Sequence, residues 1–276
     1  MPSIWSGPLS VERITVAIAD LSPSLQGTKI VHLSDLHYDD GLSETLLAET
    51  IEISNQENPD LILLTGDYVT DDPTPINSLV LRLKHLESKL GIFACLGNHD
   101  LYFLHSKALV TQALTRVGIQ VLWNEIAYPL GEHLPIVGLA DFWSRQFRPE
   151  PVFSKLDPNT PRIVLSHNPD TAEILQKWRV DLQLSGHSHG GQVVIPGFGS
   201  AAQLIQPMRK ITPQPLQLFI PYLRQCSRVM RHWEWAQGFH RIGNNQLYVN
   251  RGLGTYFPGR FFCPPEVTII TLITQH

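Results

Sequence analysis

A chain of 276 residues with 43% hydrophobic and 17% charged residues has enough apolar material for a real core and is no disordered acidic tail. Its net charge of −4 excludes an evidently basic nucleic-acid binder, and no specific nucleic-acid partner is expected. The three cysteines, Cys95, Cys226 and Cys263, lie far apart without metal-finger spacing, so no disulfide framework is expected and a reducing compartment fits.

In chain order, the opening "MPSIWSGPLSVERITVAIADL" carries no basic region followed by a long apolar one. No run approaches the roughly 20 apolar residues of a membrane span, so a soluble, cytoplasmic protein is expected. "KIVHLSDLH" then reads as an apolar strand ending at Asp35 and His37, and "SETLLAETIEISNQEN" as a helix. "PDLILLTGD" is a second buried strand, ending at Gly66 and Asp67. "INSLVLRLKHLESKLG" reads as an amphipathic helix stopped by Gly91. "IFACLGNHD" repeats the strand and polar turn, and a helix follows from Ser106 to Val117. "RIVLSHNPD", a helix from Pro169 to Trp178, and "DLQLSGHSH" continue the alternation. Strands alternating with helices predict an α/β fold, in which ligands bind beyond the carboxyl ends of the strands.

One stretch, residues 196–236, breaks this rhythm. It is rich in proline, glutamine, aromatic residues and arginine, and reads as an insertion within a single domain spanning residues 1–276. Between residues 201 and 241, Arg209, Lys210, Arg224, Arg228, Arg231 and Arg241 face the single acid Glu234. Interleaved with them are Leu216, Leu218, Phe219, Ile220, Tyr222, Leu223, Val229, Met230, Trp233 and Trp235. Two readings stay open. Cations beside large apolar groups suit peripheral contact with an anionic membrane, whereas buried aromatics suit a lid packed on the core.

Five apolar runs end in the same kind of chemistry: "SDLH", "GD", "GNHD", "SHNPD" and "GHSHGG". Together they offer Asp35, His37, Asp67, Asn98, His99, Asp100, His167, His187 and His189. Carboxylates and imidazoles with an amide oxygen form a donor set suited to Mn, Fe or Zn and unlike a thiolate zinc site. Nine such groups are too many for one ion, while two ions sharing one carboxylate use them. Each fragment alone is common by chance. Their joint order, each at the end of an apolar run, is what carries the signal.

This order resembles that of the calcineurin-like metallophosphoesterases. "LSDLHYDDG", "LLTGDYVTDD", "CLGNHDLY", "LSHNPD", "SGHSHGGQV", "LYVNRGLG" and "PPEVTIITL" are similar to the bacterial YkuE-like phosphodiesterase branch over nearly the whole chain, residues 196–236 excepted. The resemblance implies a four-layer sandwich of two mixed β-sheets flanked by helices. It implies two divalent metal ions, the first bound by Asp35, His37 and His189 and the second by Asn98, His167 and His187, with Asp67 bridging. His99 is then the catalytic group that meets the phosphate and leaving oxygen, with Asp100 as the carboxylate that holds it. The implied function is hydrolysis of a phosphodiester or pyrophosphate by a metal-bridging hydroxide, and the branch includes enzymes of lipid precursors, so a phospholipid or lipid-linked substrate is one expectation. A soluble nucleotide phosphodiesterase or nuclease is the alternative, and a non-catalytic metal-binding scaffold the reading outside the enzyme class. A Ser/Thr protein phosphatase fits less well, because "GDYVTDD" and "GNHD" lack the Asp-Arg-Gly and Asn-His-Glu of that group.

His32, His85, His105, His133, His232, His240 and His276 match no ligand position. Asp141, in "VGLADFW", reads as structural, with a place at the edge of the site as the alternative. Arg251 and Arg260 flank "GLGTYFPG" and suit either a substrate phosphate or a salt bridge closing the core.

Overall fold

Continuous apolar runs, buried on both faces, form the parallel strands of two sheets. The computed structural model describes residues 6–38, 41–212, 229–257 and 259–275. In the first sheet, β2 (Lys29–Leu33), β3 (Leu61–Leu64), β4 (Ile92–Ala94) and β5 (Ile119–Val121) run parallel. The long strands β1 (Ser10–Ile18) and β14 (Glu266–Thr274) pair in parallel, and β14 joins β2 antiparallel, giving the order β1-β14-β2-β3-β4-β5. The second sheet holds β6 (Glu125–Ala127), β7 (Ile136–Gly138), β8 (Ile163–Leu165), β9 (Leu182–Ser185), β12 (Gly238–Ile242) and β13 (Asn245–Val249), in the order β12-β13-β9-β8-β7-β6.

The sheets face each other across one apolar layer, where Ile30, Leu61, Leu63 and Phe93 meet Ile163, Leu165, Leu182 and Leu184. On the outer face of the first sheet lie α1 (Glu44–Gln56), α2 (Ile76–Leu83) and α3 (Ser106–Arg116), which bury Leu47, Leu79 and Leu114 there. The second sheet is covered by α4 (Glu150–Phe153) and α5 (Thr171–Leu175) through Phe153 and Leu175. The result is the expected four-layer α/β arrangement. Ser43 starts α1 by accepting the Leu46 amide at 3.2 Å, as a serine N-cap does.

Two helices are shorter than their sequence patterns. The pattern over residues 76–91 predicts one helix, yet α2 stops at Leu83. The side chain of Asn55 takes the carbonyl of His85 at 2.7 Å and the amide of Glu87 at 2.9 Å, so tertiary bonds replace helical ones. Lys89 and Leu90 then donate to the carbonyls of Pro59 and Asp60, which turns the chain into β4. The pattern from Pro169 to Trp178 likewise yields only the five residues of α5.

At the start of the 196–236 stretch, a hairpin of β10 (Val194–Ile195), just before it, and β11 (Gly199–Ser200) leads into α6 (Ala201–Ile211). Ala202, Met230, Trp233 and Ala236 form a small apolar cluster. Arg224, Arg228 and the apolar residues from Leu216 to Leu223 lie outside the described residues. Among the described residues, no helix is long and apolar enough to cross a membrane.

Candidate metal centre

The ends of β2, β3, β8 and β9 converge, and six of the expected ligands gather there in two buried groups. Asp35, His37 and His189 form one; Asp67, His167 and His187 form the other, with ligand atoms within 4.8 Å of one another in each. Asp67 spans both: its Oδ2 lies 3.0 Å from His167 Nε2 and 3.6 Å from His37 Nε2. His187 and His189, one residue apart in sequence, therefore serve different groups. Asn98 lines the same cleft of about 570 Å³, and its buried Oδ1 has no hydrogen-bond partner. None of His32, His85, His105, His133, His232 and His240 joins either group; His276 lies outside the described residues.

The backbone is bent to reach this geometry. Asp35, His37, Asp67, His187 and His189 all have φ between 43° and 70°, half of the ten non-glycine residues with positive φ among those described. Such conformations cost on the order of 1–3 kcal/mol each and persist where surrounding structure over-determines them. Gly186 is required for a different reason. A Cβ there would lie 2.0 Å from Asp35 Oδ2 and from Ser34 Oγ.

Backbone carbonyls fix the imidazoles. His167 Nδ1 donates to Thr65 O at 2.7 Å, His187 Nε2 to Val229 O at 2.8 Å and His189 Nδ1 to Gly254 O at 3.2 Å. A carbonyl only accepts, so the bonded nitrogen of each ring carries a proton; in the neutral rings of His187 and His189 the other nitrogen keeps its lone pair, and in all three rings that other nitrogen faces the group's centre. Such outer bonds are typical of metal-binding histidines. In the first group, His189 Nε2 and His37 Nε2 approach to 3.1 Å; in the second, His167 Nε2 and His187 Nδ1 approach to 3.2 Å. Converging lone pairs, two carboxylates and an orphaned amide oxygen fit a pair of divalent ions.

Burial pushes His37, His187 and His189 down to about 3, so they are neutral and ready to ligate. Burial acts against protonation of His167 too, but the charge and hydrogen bond of Asp67, with Asp35 and Asp141 nearby, raise it to about 10. His167 thus carries a proton that a metal ion must displace.

His99 stands at the mouth. Its amide donates to Asp67 Oδ1 at 2.9 Å, its Nδ1 donates to Thr70 O at 2.6 Å, and Asp71 lies 3.4 Å from the same nitrogen. Burial disfavours the imidazolium, yet Asp67 and the Thr70 carbonyl raise its pKa above the ordinary value.

Asp100 departs from expectation. Its carboxylate does not hold the His99 ring; Thr70 and Asp71 do. Instead, Asp100 is fully buried and accepts amide hydrogens from Asp67 and Tyr68 at 2.9 Å and from Gly97 at 2.8 Å. Burial, then the charge of Asp67, raises its carboxyl to about 7. The physical reason is local: the turns after β3 and β4 point their amides at one spot, and an acceptor there satisfies them.

The two arginines take the core-closing role. Arg251 pairs with Glu12 at 2.6 Å and Glu266 at 2.9 Å. Arg260 is 1% exposed and donates to the carbonyls of Arg251, Gly252 and Gly254. Asp141 is buried, which raises its pKa, and its Oδ2 is unpaired. Sequence reasoning missed Tyr256, whose hydroxyl lies 3.0 Å from His37 Nε2 and whose ring lines the cleft. It also missed Val229 and Trp233, through which the 196–236 stretch helps wall the site.

The family model of the calcineurin-like phosphoesterases matches residues 28–191, more than half the chain and all seven expected ligands. The chain belongs to this family. Phosphodiesterase YaeI of Escherichia coli (strain K12) is 33% identical over 250 residues, 89% of this chain and 82% of the relative. UDP-2,3-diacylglucosamine pyrophosphatase LpxG of Chlamydia trachomatis is 30% identical over 316 residues, 97% and 90%. Metallophosphoesterase YkuE of Bacillus subtilis (strain 168) is 31% identical over 264 residues, 94% and 83%. One solved crystal structure shares the fold, with a TM-score of 0.52 at 12% identity, over 86% of this chain and 92% of that one. This metallophosphoesterase is a hydrolase of phosphoric ester bonds, in the same bacterial branch as these relatives.

Proposed function

We propose that the protein is a dinuclear metallophosphoesterase that cleaves a phosphodiester or pyrophosphate bond. The observation that carries this reading is Asp67, whose single carboxylate reaches from one buried ligand group to the other. Asp35, His37 and His189 would hold one Mn, Fe or Zn ion and Asn98, His167 and His187 the second, with Asp67 shared. When bound, the two ions supply an activated water for attack on phosphorus and positive charge for the phosphoryl oxygens.

The chain supplies position and a proton. Thr70 O fixes His99 Nδ1 as the protonated nitrogen, so Nε2 is the atom that exchanges a proton in the cleft. The raised pKa of His99 favours the imidazolium, which donates to the leaving oxygen. No side chain forms a bond to phosphorus. Asp100 acts behind the site by holding the turns that carry Asp67 and Gly97.

A lipid or lipid-linked substrate is supported by the rim. Leu104 and Phe257 are 104% and 87% exposed, and Tyr102, Phe198, Phe261 and Phe262 are also exposed. Phe257 lines the metal cleft, while Phe261 bonds through its backbone to the β10–β11 hairpin that carries Phe198. Tyr102 and Leu104 line a neighbouring cavity instead; exposed apolar groups beside a cleft, as at Phe257, mark an interaction surface, and aromatic residues suit the membrane interface. LpxG by its name acts on a diacylated sugar nucleotide. The lid reading of the 196–236 stretch is supported at its end, where the amides of Arg231 and His232 donate to Asp170 and Val229 caps His187.

The test of the core reading is hydrolysis of bis(p-nitrophenyl) phosphate with Mn and two ions per chain by emission spectroscopy. Both should be lost in Asp67→Asn. Retained hydrolysis in that variant, or one ion in the wild type, contradicts it. Sedimentation with anionic vesicles at low salt tests the membrane contact; wild-type protein left in the supernatant refutes it and favours a soluble nucleotide-type substrate.

A further inference from the structure

Beside the metal cleft lies a second cavity of about 740 Å³, and the two share Asn98 and Trp143 as walls. Both volumes fall in the roughly 300–1,000 Å³ typical of small-molecule sites. The second cavity also presents Trp123, Lys107, Arg145 and Asp141. Asp141 is 2% exposed; its Oδ1 accepts the Trp143 amide at 2.9 Å, and its buried Oδ2 has no partner. A buried carboxylate oxygen in a cavity wall is an acceptor that lacks its donor. Ring N–H and hydroxyl groups are donors of that kind.

The walls restrict what carries the donor. The half-exposed indole of Trp143 offers stacking surface to a flat aromatic ring. Indoles also bind organic cations such as choline, but here the Lys107 ammonium already sits 3.9 Å over the Trp123 ring. With Arg145 beside it, the cavity opposes a cationic headgroup and tolerates an anionic ligand. We infer that this cavity receives the nucleoside of the substrate, its base against Trp143 and a base or ribose donor on Asp141, while the attached phosphorus lies at the metal centre. The inference rests on the proposed function and names one arm of its substrate. A nucleoside diphosphate linked to a lipid would place its base here and its apolar part toward the exposed rim around Phe257.

The experiment is calorimetric titration of the Mn-loaded protein with uridine and adenosine 5′-monophosphate, methyl phosphate and phosphocholine. At least one nucleotide should bind about tenfold more tightly than methyl phosphate, within the span that base–aromatic stacking carries. In Trp143→Ala, whose ring also packs edge-on against His187 at 4.8 Å, nucleotide binding should fall by more than methyl phosphate binding, so that the preference vanishes. Asp141→Asn, a more conservative change, should weaken nucleotide binding selectively. Equal affinity for nucleotides and methyl phosphate, a preference for phosphocholine, or a preference intact in both variants overturns the inference. Because the readout is binding, it is separate from the proposed function, which stands or falls on diester hydrolysis by the wild type.

Discussion

Gly97→Ala probes the shared carboxylate without removing a ligand. Gly97 does not have positive φ, so alanine is conformationally acceptable there; the obstacle is space. Its Cβ would lie 2.1 Å from Asp67 Oδ1 and 2.7 Å from both the Asp67 carboxyl carbon and backbone nitrogen. The first of these is more than 1 Å short of ordinary contact, and all three are closer than real Cβ contacts come. The carboxylate has little room to retreat, since Oδ1 accepts the His99 amide at 2.9 Å and Oδ2 faces His167 at 3.0 Å. The backbone is equally tied, with the Asp67 and Gly97 amides both on Asp100 Oδ2. Relief by about 1 Å at Asp67 would cost on the order of 10²-fold in turnover, and the overpacking about 1–3 kcal/mol of stability. Metal content by emission spectroscopy should fall at both positions together. Gly118→Ala is the control: its φ of +84° makes alanine strained, but nothing lies within 4 Å of the added carbon. It should cost about 1–2 kcal/mol and spare metal binding and turnover. Full metal content and wild-type turnover in Gly97→Ala would refute the argument.

His99→Ala should keep both ions and lose about 10²–10⁴ in turnover, with a smaller loss for p-nitrophenyl leaving groups; equal losses on good and poor leaving groups would remove the acid role. Asp100→Asn should lower the melting temperature, since one amide oxygen cannot satisfy the hydrogens that two carboxylate oxygens hold, at about 1–3 kcal/mol. Its residual activity should show the same leaving-group dependence as wild type, whereas a changed dependence would give Asp100 a direct part in proton transfer. Metal affinity should rise with pH. His167, raised to about 10 by Asp67 against the effect of burial, is protonated at neutral pH and ligates only after losing that proton. Apparent affinity should therefore climb about tenfold per unit up to that pKa, and titrations in buffers of different ionisation enthalpy should show proton release; a flat profile between about pH 6 and 8 would contradict the charge state.

The ligand set was legible because each member ends an apolar run, and short runs such as "LILL", closed at once by the turn residues "TGD", read as buried strands. Parallel strands bring their carboxyl ends together, so the order of motifs becomes a place in space. Helix lengths were not legible at α2, because Asn55, far away in sequence, takes the backbone groups that would continue it. Nor was the pairing of β1 with β14, strands at opposite ends of the chain whose register is set only on folding. Tyr256 escaped because a tyrosine between glycines and prolines reads as a turn residue; only the return of that loop to Asp35 and His37 places it in the cleft.

What holds the ligands in their strained conformations is backbone chemistry that motif reading does not reach. Two buried ionisable groups do opposite work on the two sides of the site. Asp100 gathers amide hydrogens from Asp67, Tyr68 and Gly97. Arg260 gathers carbonyls from Arg251, Gly252 and Gly254, in the loop whose amides at Leu253 and Gly254 donate to the Asp35 carbonyl. Buried polar groups left unpaired are destabilising, a charged one such as Arg260 most of all, so each must keep its ring of dipoles, and each ring fixes a turn that presents a metal-binding carboxylate. Asp35 and Asp67 both sit at positive φ, where an aspartate without such support would relax. The arginine that a motif reading could aim at a substrate phosphate is thus occupied in shaping the turn behind Asp35, and the aspartate it would set behind His99 shapes the one behind Asp67. Charge reversal at either should unfold the turn before it alters the chemistry, with metal loss preceding any change in leaving-group dependence.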